Sequence, residues 1–277
     1  MTRAERDLLF CDTDLARRIE QAEAATTRAY VAVAAALRPD DGCMSEPVGD
    51  GVAIFAGARS PLNRVLALGM STAVEQAVLE RCADLYAERG ELPRIDLCPL
   101  ADPSLLLALQ QNRYTVTQFK HVFVRRLATW TDNERRPDGI DTAPIGAGEA
   151  DLWAQTVANA FHGGDVDATN LAIALPNAHK EDTCCFLARI EGAVVGGGAL
   201  ALRDGVAICY STSVLPAMRR LGVQQALLRA RLGYAKAQGC DLAMAQTTPG
   251  NASQRNVERF GFQIAYTKAT MLGALPG

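Results

Sequence analysis

The residues best suited to chemistry stand together in one run, Val214-Leu215-Pro216-Ala217-Met218-Arg219-Arg220-Leu221-Gly222-Val223-Gln224-Gln225-Ala226-Leu227-Leu228. A strand pattern enters a basic loop that contains glycine, and the loop opens an amphipathic helix. The first turn of a helix leaves four backbone N–H groups without internal partners, and its dipole places partial positive charge there. Gly222 lets backbone approach a ligand closely, and Arg219 and Arg220 add full charges. Such a combination is a cradle for a phosphate or pyrophosphate.

Other phosphate and metal signatures are missing. The run lacks Gly-x-x-x-x-Gly-Lys-Ser/Thr and Gly-x-Gly-x-x-Gly. Gly196-Gly197-Gly198 lies inside an apolar strand pattern, so the triplet reads as close packing or a bulge ahead of a ligand loop. The eight cysteines form no C-x-x-C pair, and with three histidines there is no zinc spacing. Reduced, mostly buried thiols are expected, with Cys184 and Cys185 on opposite faces of a strand.

The elements that must position the loop can be read on either side of it. A helix is expected over 149–161, followed by a polar loop holding His162-Gly163-Gly164 and Pro176-Asn177. Strands over 184–190 and 194–202 form a hairpin at Glu191-Gly192, and a third strand covers 206–215. A helix over 223–238 is capped by Gly239. A strand over 242–247, a short helix over 252–260 and a last strand over 262–271 complete this half.

The first half repeats the order. A long helix with Leu15, Ile19, Ala22, Thr26, Tyr30, Val33 and Leu37 on one face ends at Pro39. Strands at 52–56 and 64–68, a helix at 72–88 closed by Gly90, a strand at 95–98, a helix at 103–111 and a strand at 119–127 follow. Asn112-Arg113-Tyr114 sits where Phe260-Gly261-Phe262 sits in the second half. A period of about 140 residues suggests a duplicated domain. The polar stretch 129–142, broken by Pro137 and Gly139, reads as the linker between domains at 1–128 and 143–277.

Composition sets outer bounds. The chain has 277 residues, 49% of them hydrophobic, which is enough for two cores. A net charge of −3 offers no general attraction to nucleic acid or an anionic membrane. No apolar run approaches the roughly 18 residues that span a bilayer, and Met1 to Asp7 lack the apolar stretch of a secretory signal. A cytoplasmic location is the expectation, with no membrane or nucleic-acid partner.

The loop resembles the pyrophosphate motif of the GNAT superfamily, the GCN5-related N-acetyltransferases, whose pattern is Gln/Arg-x-x-Gly-x-Gly/Ala. Arg219, Gly222 and Gln224 occupy its three slots, and Gln224 departs from the last. Ser213-Val214-Leu215-Pro216 matches the family's strand end, and Asn251 and Gly261-Phe262 match its closing signatures. The resemblance covers about 143–273, each piece weak alone and the ordered set more specific.

That resemblance implies an α/β (α+β) fold of two similar domains, each a mixed, mostly antiparallel sheet flanked by helices. It implies acetyl-CoA as co-substrate, with no metal, and a small-molecule amine as acceptor. Ser213, Val214 and Leu215 would meet the pantetheine arm through backbone groups. Arg219, Arg220, Leu221, Gly222, Val223, Gln224 and Gln225 would form the cradle, and Asn251, Ser253 and Asn256 would hold the cofactor from the other side.

The family's usual base slot holds Gln246 here, which cannot act as a base, and its usual acid slot holds Val257, or Glu258 if the alignment slips by one. Tyr210, on the strand entering the loop, is the first candidate for the catalytic acid, and Ser253 the second. Tyr210 is equally readable as a core tyrosine, and Ser253 as a helix cap. Tyr266 reads as structural and His162 as a surface residue. An acyl-CoA-binding module without turnover is therefore the alternative to an enzyme, and a phosphate binder of another fold a third reading. At the equivalent turn the first half offers Leu68-Gly69-Met70-Ser71-Thr72, with no arginine. It reads as a degenerate copy without the cofactor loop.

Overall fold

The computed structural model describes residues 9–132, 139–162 and 168–274, with the side chains of 162, 168 and 169 left out. The His162 side chain, Gly163, Gly164 and residues 133–138 of the expected linker lie outside the described residues.

Compactness groups the chain into two units, and the grouping is not linear. An N-terminal unit comprises Leu9–Phe123, Thr247–Gln254 and the segment from Gln263 onward; a C-terminal unit comprises Val124–Gln246 and Arg255–Phe262. Where the sequence suggested a single break at 129–142, the final strand returns to the first unit, because it pairs there.

The N-terminal unit begins with helix α1 (Thr13–Leu37), whose N-cap Asp12 accepts from Leu15 N–H at 2.9 Å. Strands β1 (Met44–Val48), β2 (Gly51–Phe55) and β3 (Arg64–Leu66), helix α2 (Gln76–Ala87), strand β4 (Arg94–Leu97), helix α3 (Pro103–Gln111) and strand β5 (Thr115–Arg126) follow. The chain's last strand, β11 (Gln263–Leu272), lies antiparallel to β4, with Ala269 opposite Leu97. β3 and β4 run parallel around α2, in register at Val65 and Ile95. The apolar faces of α2 and α3 (Leu79, Cys82, Leu85, Leu105 and Leu109) close on Ala53, Val65 and Ile95 of the sheet.

The C-terminal unit orders its strands β10-β9-β8-β7-β6. They are β6 (Ile140–Pro144), β7 (Thr183–Ile190), β8 (Ala193–Arg203), β9 (Val206–Val214) and β10 (Leu242–Thr247). Helices α4 (Ala150–His162) and α5 (Ala168–Ala178) precede β7, and α6 (Val223–Ala237) joins β9 to β10. Helix α7 (Ala252–Arg259) follows β10. Trp153, Ala154, Val157 and Ala158 of α4 pack on Cys185, Leu187 and Ala199. Phe186, between two of those strand residues, instead meets Tyr234 of α6 edge-on at 5.7 Å. Period-two alternation thus gives the sheet a helix on each face. Cys185 joins the α4 core and Cys184 neighbours Tyr234, so the two thiols do take opposite faces.

Three differences from the sequence reading have plain causes. β1 and β6 were not expected as strands. Both lie at the outer end of their unit's strand order and carry a proline, Pro47 and Pro144, that only an edge tolerates. The second of them takes in Ile140 to Thr142, assigned above to the linker. Pro176 and Asn177, expected in a loop, close α5 as helix. The Asn177 side-chain amide donates to the carbonyls of Ile173 and Ala174, at 3.4 and 3.3 Å, and so ties this last turn to the helix.

Helix ends in the two units share local geometry. α2 and α6 both end in a left-handed glycine, Gly90 (φ 69°) and Gly239 (φ 80°). In each, a six-to-one bond closes the turn: Glu91 N–H to Tyr86 C=O, and Cys240 N–H to Ala235 C=O. α3 and α7 end the same way at Arg113 (φ 57°) and Gly261 (φ 69°).

Candidate functional site

The site is built on a defect in β9. Its pairing with β8 runs regularly from Val206 opposite Arg203 to Tyr210 opposite Ala199, then resumes with Ser213 opposite Gly197. One extra residue has entered β9, and Ser211 takes φ 47° to accommodate it. On its other edge β9 runs parallel to β10 from Val206–Leu242 to Cys209–Ala245, and the ladder ends there. Beyond Cys209 the strand turns an edge towards no ladder partner in β10.

The three glycines of β8 make this possible, as close packing and bulge together. A Cβ on Gly196 would lie 2.7 Å from the Ser213 carbonyl, one on Gly197 2.9 Å from Val157, and one on Gly198 3.1 Å from the Arg231 guanidinium. Each glycine admits a different neighbour, one from β9, one from α4 and one from α6.

A short 3₁₀ turn, Pro216–Met218, follows β9. Arg220 then takes φ 68°, and Gly222, at φ 90°, is the N-cap of α6. Gly222 offers this helix no side-chain cap. Its first backbone bond is Ala226 N–H to Gly222 C=O at 3.0 Å, so the amides of Val223, Gln224 and Gln225 precede any helical partner. Arg220 and Leu221 are exposed beside them.

Arg219 behaves differently from its expected role as a charge on the cradle. Its Nε donates to the Val214 carbonyl at 3.3 Å and a terminal nitrogen donates to the Ala160 carbonyl at 3.0 Å. The guanidinium ties the end of β9 to the last turns of α4. Gln224, the departure from the family pattern, has its side chain drawn aside: Asn256 Nδ2 of α7 donates to its Oε1 at 2.5 Å. The Ser213 hydroxyl is buried and donates to the Val157 carbonyl at 3.3 Å, which leaves the backbone at 213–215 as what this strand end can offer. Leu215 N–H is already bonded to the Val195 carbonyl at 3.0 Å.

The two catalytic candidates fall elsewhere. The Tyr210 side chain packs with the α4 core, and its hydroxyl lies 3.1 Å from both Lys180 Nζ and Thr183 Oγ1, towards the start of β7. Lys180 is buried, and burial pushes its ammonium down to about 8 against the pull of Asp182 at 3.5 Å. Ser253 lies exposed in the first turn of α7 and is not the cap. Asn251 is: its Oδ1 accepts from Gln254 N–H at 2.9 Å, while Gln254 Oε1 accepts from Gly250 N–H at 2.7 Å. Val257 is buried, and Tyr266 donates to Glu20 at 2.7 Å in the interior of the N-terminal unit. The His162 side chain lies outside the described residues.

Sequence reasoning missed Arg231. Its side chain is wholly buried, and it donates to carbonyls of Leu227, Ala199 and Tyr210. An arginine at the centre of an otherwise apolar helix face was the available signal. Among the described residues, no three of His, Cys, Asp and Glu converge as a metal site, and no helix is long and apolar enough to cross a membrane.

A parallel strand–helix–strand unit with a bulged, splayed first strand is an arrangement shared with known structures. A GCN5-related N-acetyltransferase from Kribbella flavida superposes at a TM-score of 0.61, with 21% identity over 90% of this chain and 96% of that one. One from Sphaerobacter thermophilus gives 0.58, with 15% identity over 73% and 68%. A tandem GNAT protein from the clavulanic acid biosynthesis pathway gives 0.59, with 14% identity over 81% and 73%. The sequence profile of the acetyltransferase (GNAT) family matches residues 151–262. The family match thus falls within the C-terminal half of the chain, and the mixed α/β fold expected from the sequence is the one these structures share. Among curated proteins, none matches the sequence.

Proposed function

We propose that the C-terminal unit binds acetyl-CoA and transfers its acetyl group directly to the amine of a small-molecule acceptor. The observation that carries this reading is the continuity of β9 with the start of α6. Beyond Cys209 the strand has backbone groups unclaimed by β10, and a few residues later the amides of Val223, Gln224 and Gln225 open a helix that Gly222 gives no side-chain cap. A pantetheine arm needs the first and a pyrophosphate the second. The fit is one of backbone donors, with Gly222 supplying the turn and Arg220 the nearby charge.

The reaction then requires the amine nitrogen, unprotonated, to attack the thioester carbon. The N–C bond forms, the C–S bond breaks, and coenzyme A departs as thiolate while the amine proton passes to a base or to water. Negative charge on the thioester oxygen calls for a backbone N–H at the bulge, near Val214. A thiol of ordinary pKa about 8.5 leaves without needing a strong acid. With Ser253 exposed on α7 and the Tyr210 hydroxyl engaged by Lys180 and Thr183, we assign neither a proton-transfer step.

We further propose that the N-terminal unit takes no cofactor. At the turn between β3 and α2, the amides of Gly69, Ser71 and Thr72 all donate to the carboxylate of Asp50, at 2.7, 2.5 and 3.2 Å. A protein carboxylate thus occupies amides of the loop that leads to α2.

A binding module without turnover is the second reading, favoured by Gln246 and by the buried Val257 at the usual acid and base slots. Thermal shift with acetyl-CoA tests what both share. A hundredfold excess over the dissociation constant should stabilise the chain by about 2.7 kcal/mol, and no shift defeats both readings. Thiol release on addition of amines then separates enzyme from module.

A further inference from the structure

We propose that Arg231 is a positioning residue for the acyl-transfer strand: its guanidinium fixes the bulge of β9 by bridging the last cross-strand pair before it. One nitrogen, Nη1, donates to the Ala199 carbonyl at 3.0 Å and to the Tyr210 carbonyl at 3.3 Å. Those two residues face each other across β8 and β9, and the extra residue enters directly afterwards. The parallel ladder to β10 stops one residue earlier, at Cys209. Arg231 thus holds the point where β9 parts from one neighbour and slips register with the other.

The surroundings are built for it. Gly198 is the β8 residue opposite the extra insertion, and a Cβ there would meet the guanidinium carbon and Nη1 at 3.1 Å. Nε of Arg231 donates to the Leu227 carbonyl one helical turn back, at 3.0 Å, which fixes the side chain against α6. No ion pair joins Arg231 to a carboxylate among the described residues; its donors are spent on neutral carbonyls. Burying a guanidinium is expensive when no anion offsets it, and an apolar side chain of similar length would fill the same space at less cost. What the arginine adds is several donors in a rigid planar fork. These are suited to carbonyls that a bulge takes out of the regular ladder.

This inference rests on the acyl-CoA reading of the C-terminal unit for its functional consequence, and the test separates the two. In the full-length chain, Arg231→Met, Arg231→Lys and Gly198→Ala are compared with the wild type by site-resolved amide exchange and by acetyl-CoA titration. Arg231→Met should speed exchange at residues 211–214 while β7 is unchanged. It should also weaken acetyl-CoA binding by about tenfold, the worth of a charge-assisted hydrogen bond. Arg231→Lys, which keeps the charge and one donor direction, should recover part of both effects. Gly198→Ala crowds the guanidinium without removing it and should move both in the same direction, so the question is answered even where the methionine variant does not fold. Unchanged exchange at 211–214, or a rise spread evenly through the unit, overturns the proposal. So does a lysine variant no better than methionine. A wild type that fails to bind acetyl-CoA would defeat the proposed function, whereas the exchange result would still decide the role of Arg231.

Discussion

The two halves of this chain build the same strand–turn–helix and spend their polar groups on it in opposite ways. Between β3 and α2, Asp50 reaches from the β1–β2 turn and takes the amides of Gly69, Ser71 and Thr72, and the Ser104 hydroxyl takes that of Val74 at 2.7 Å. Neither N-cap residue, Glu75 of α2 or Gly222 of α6, makes a side-chain cap hydrogen bond; the difference lies in the preceding loops, and Gly222 sets a left-handed entry. Some buried charges differ in the same sense. In the N-terminal unit, Asp96 meets Arg64, Lys120 and the Thr270 hydroxyl, and Lys268 meets Glu20 and Glu23. In the C-terminal unit Arg231 meets only carbonyls. The loop before α2 is satisfied by Asp50, whereas the amides that open α6 precede any helical partner.

The largest effect should come from breaking the first kind of satisfaction. Burial alone would raise the Asp96 carboxyl, yet Arg64, Lys120 and Lys268 hold it well below the usual carboxylate range, with help from Thr270. Its stabilisation is therefore present above the unfolded carboxyl pKa and lost as pH falls through the folded value. Asp96→Asn strands buried cations and should cost about 3–5 kcal/mol in urea unfolding at neutral pH. It should also flatten stability in the acid range while leaving acetyl-CoA affinity unchanged.

Gly222→Val comes next and strikes the open half. A β-branched residue at φ 90° is strained by about 1–2 kcal/mol and cannot hold the turn that presents the α6 amides. Acetyl-CoA affinity by calorimetry should fall by about tenfold or more. Asp50→Ala should cost less, about 1 kcal/mol of stability in thermal unfolding, because its partners lie near the surface. Acetyl-CoA affinity should stay as in the wild type. Equal damage to affinity from the two variants would erase the contrast between the loops.

The last effect is one of pH dependence and concerns Lys180. With its ammonium lowered by burial to about 8 from 10.5, the unfolded chain binds more protons between those values, so Lys180 makes stability rise with pH across that window. Lys180→Met should remove this rise in unfolding free energies measured from pH 7 to 10.

Much of this was legible beforehand. Helices α1, α3 and α6, the β7–β8 hairpin and the glycine-terminated helix ends follow from periodicity and turn chemistry. The loop at 219–224 was recognisable because a strand end, a glycine and a helix start are local features. What escaped was non-local. The roles of Asp50, Arg219 and Arg231 depend on carbonyls and amides that come near only after folding, and nothing in their sequence neighbourhoods marks those partners. The return of β11 to the N-terminal unit is likewise a pairing choice, made against β4 and invisible in the strand itself. The edge strands β1 and β6 escaped for a different reason: half-exposed and proline-bearing, they lack the alternation that identifies a strand.

The contrast between the halves reduces to a number that calorimetry reads directly, the moles of acetyl-CoA bound per mole of full-length chain. The account predicts one, lost or strongly weakened by Gly222→Val and untouched by Asp50→Ala. Two per chain, or one that survives Gly222→Val intact, would contradict it.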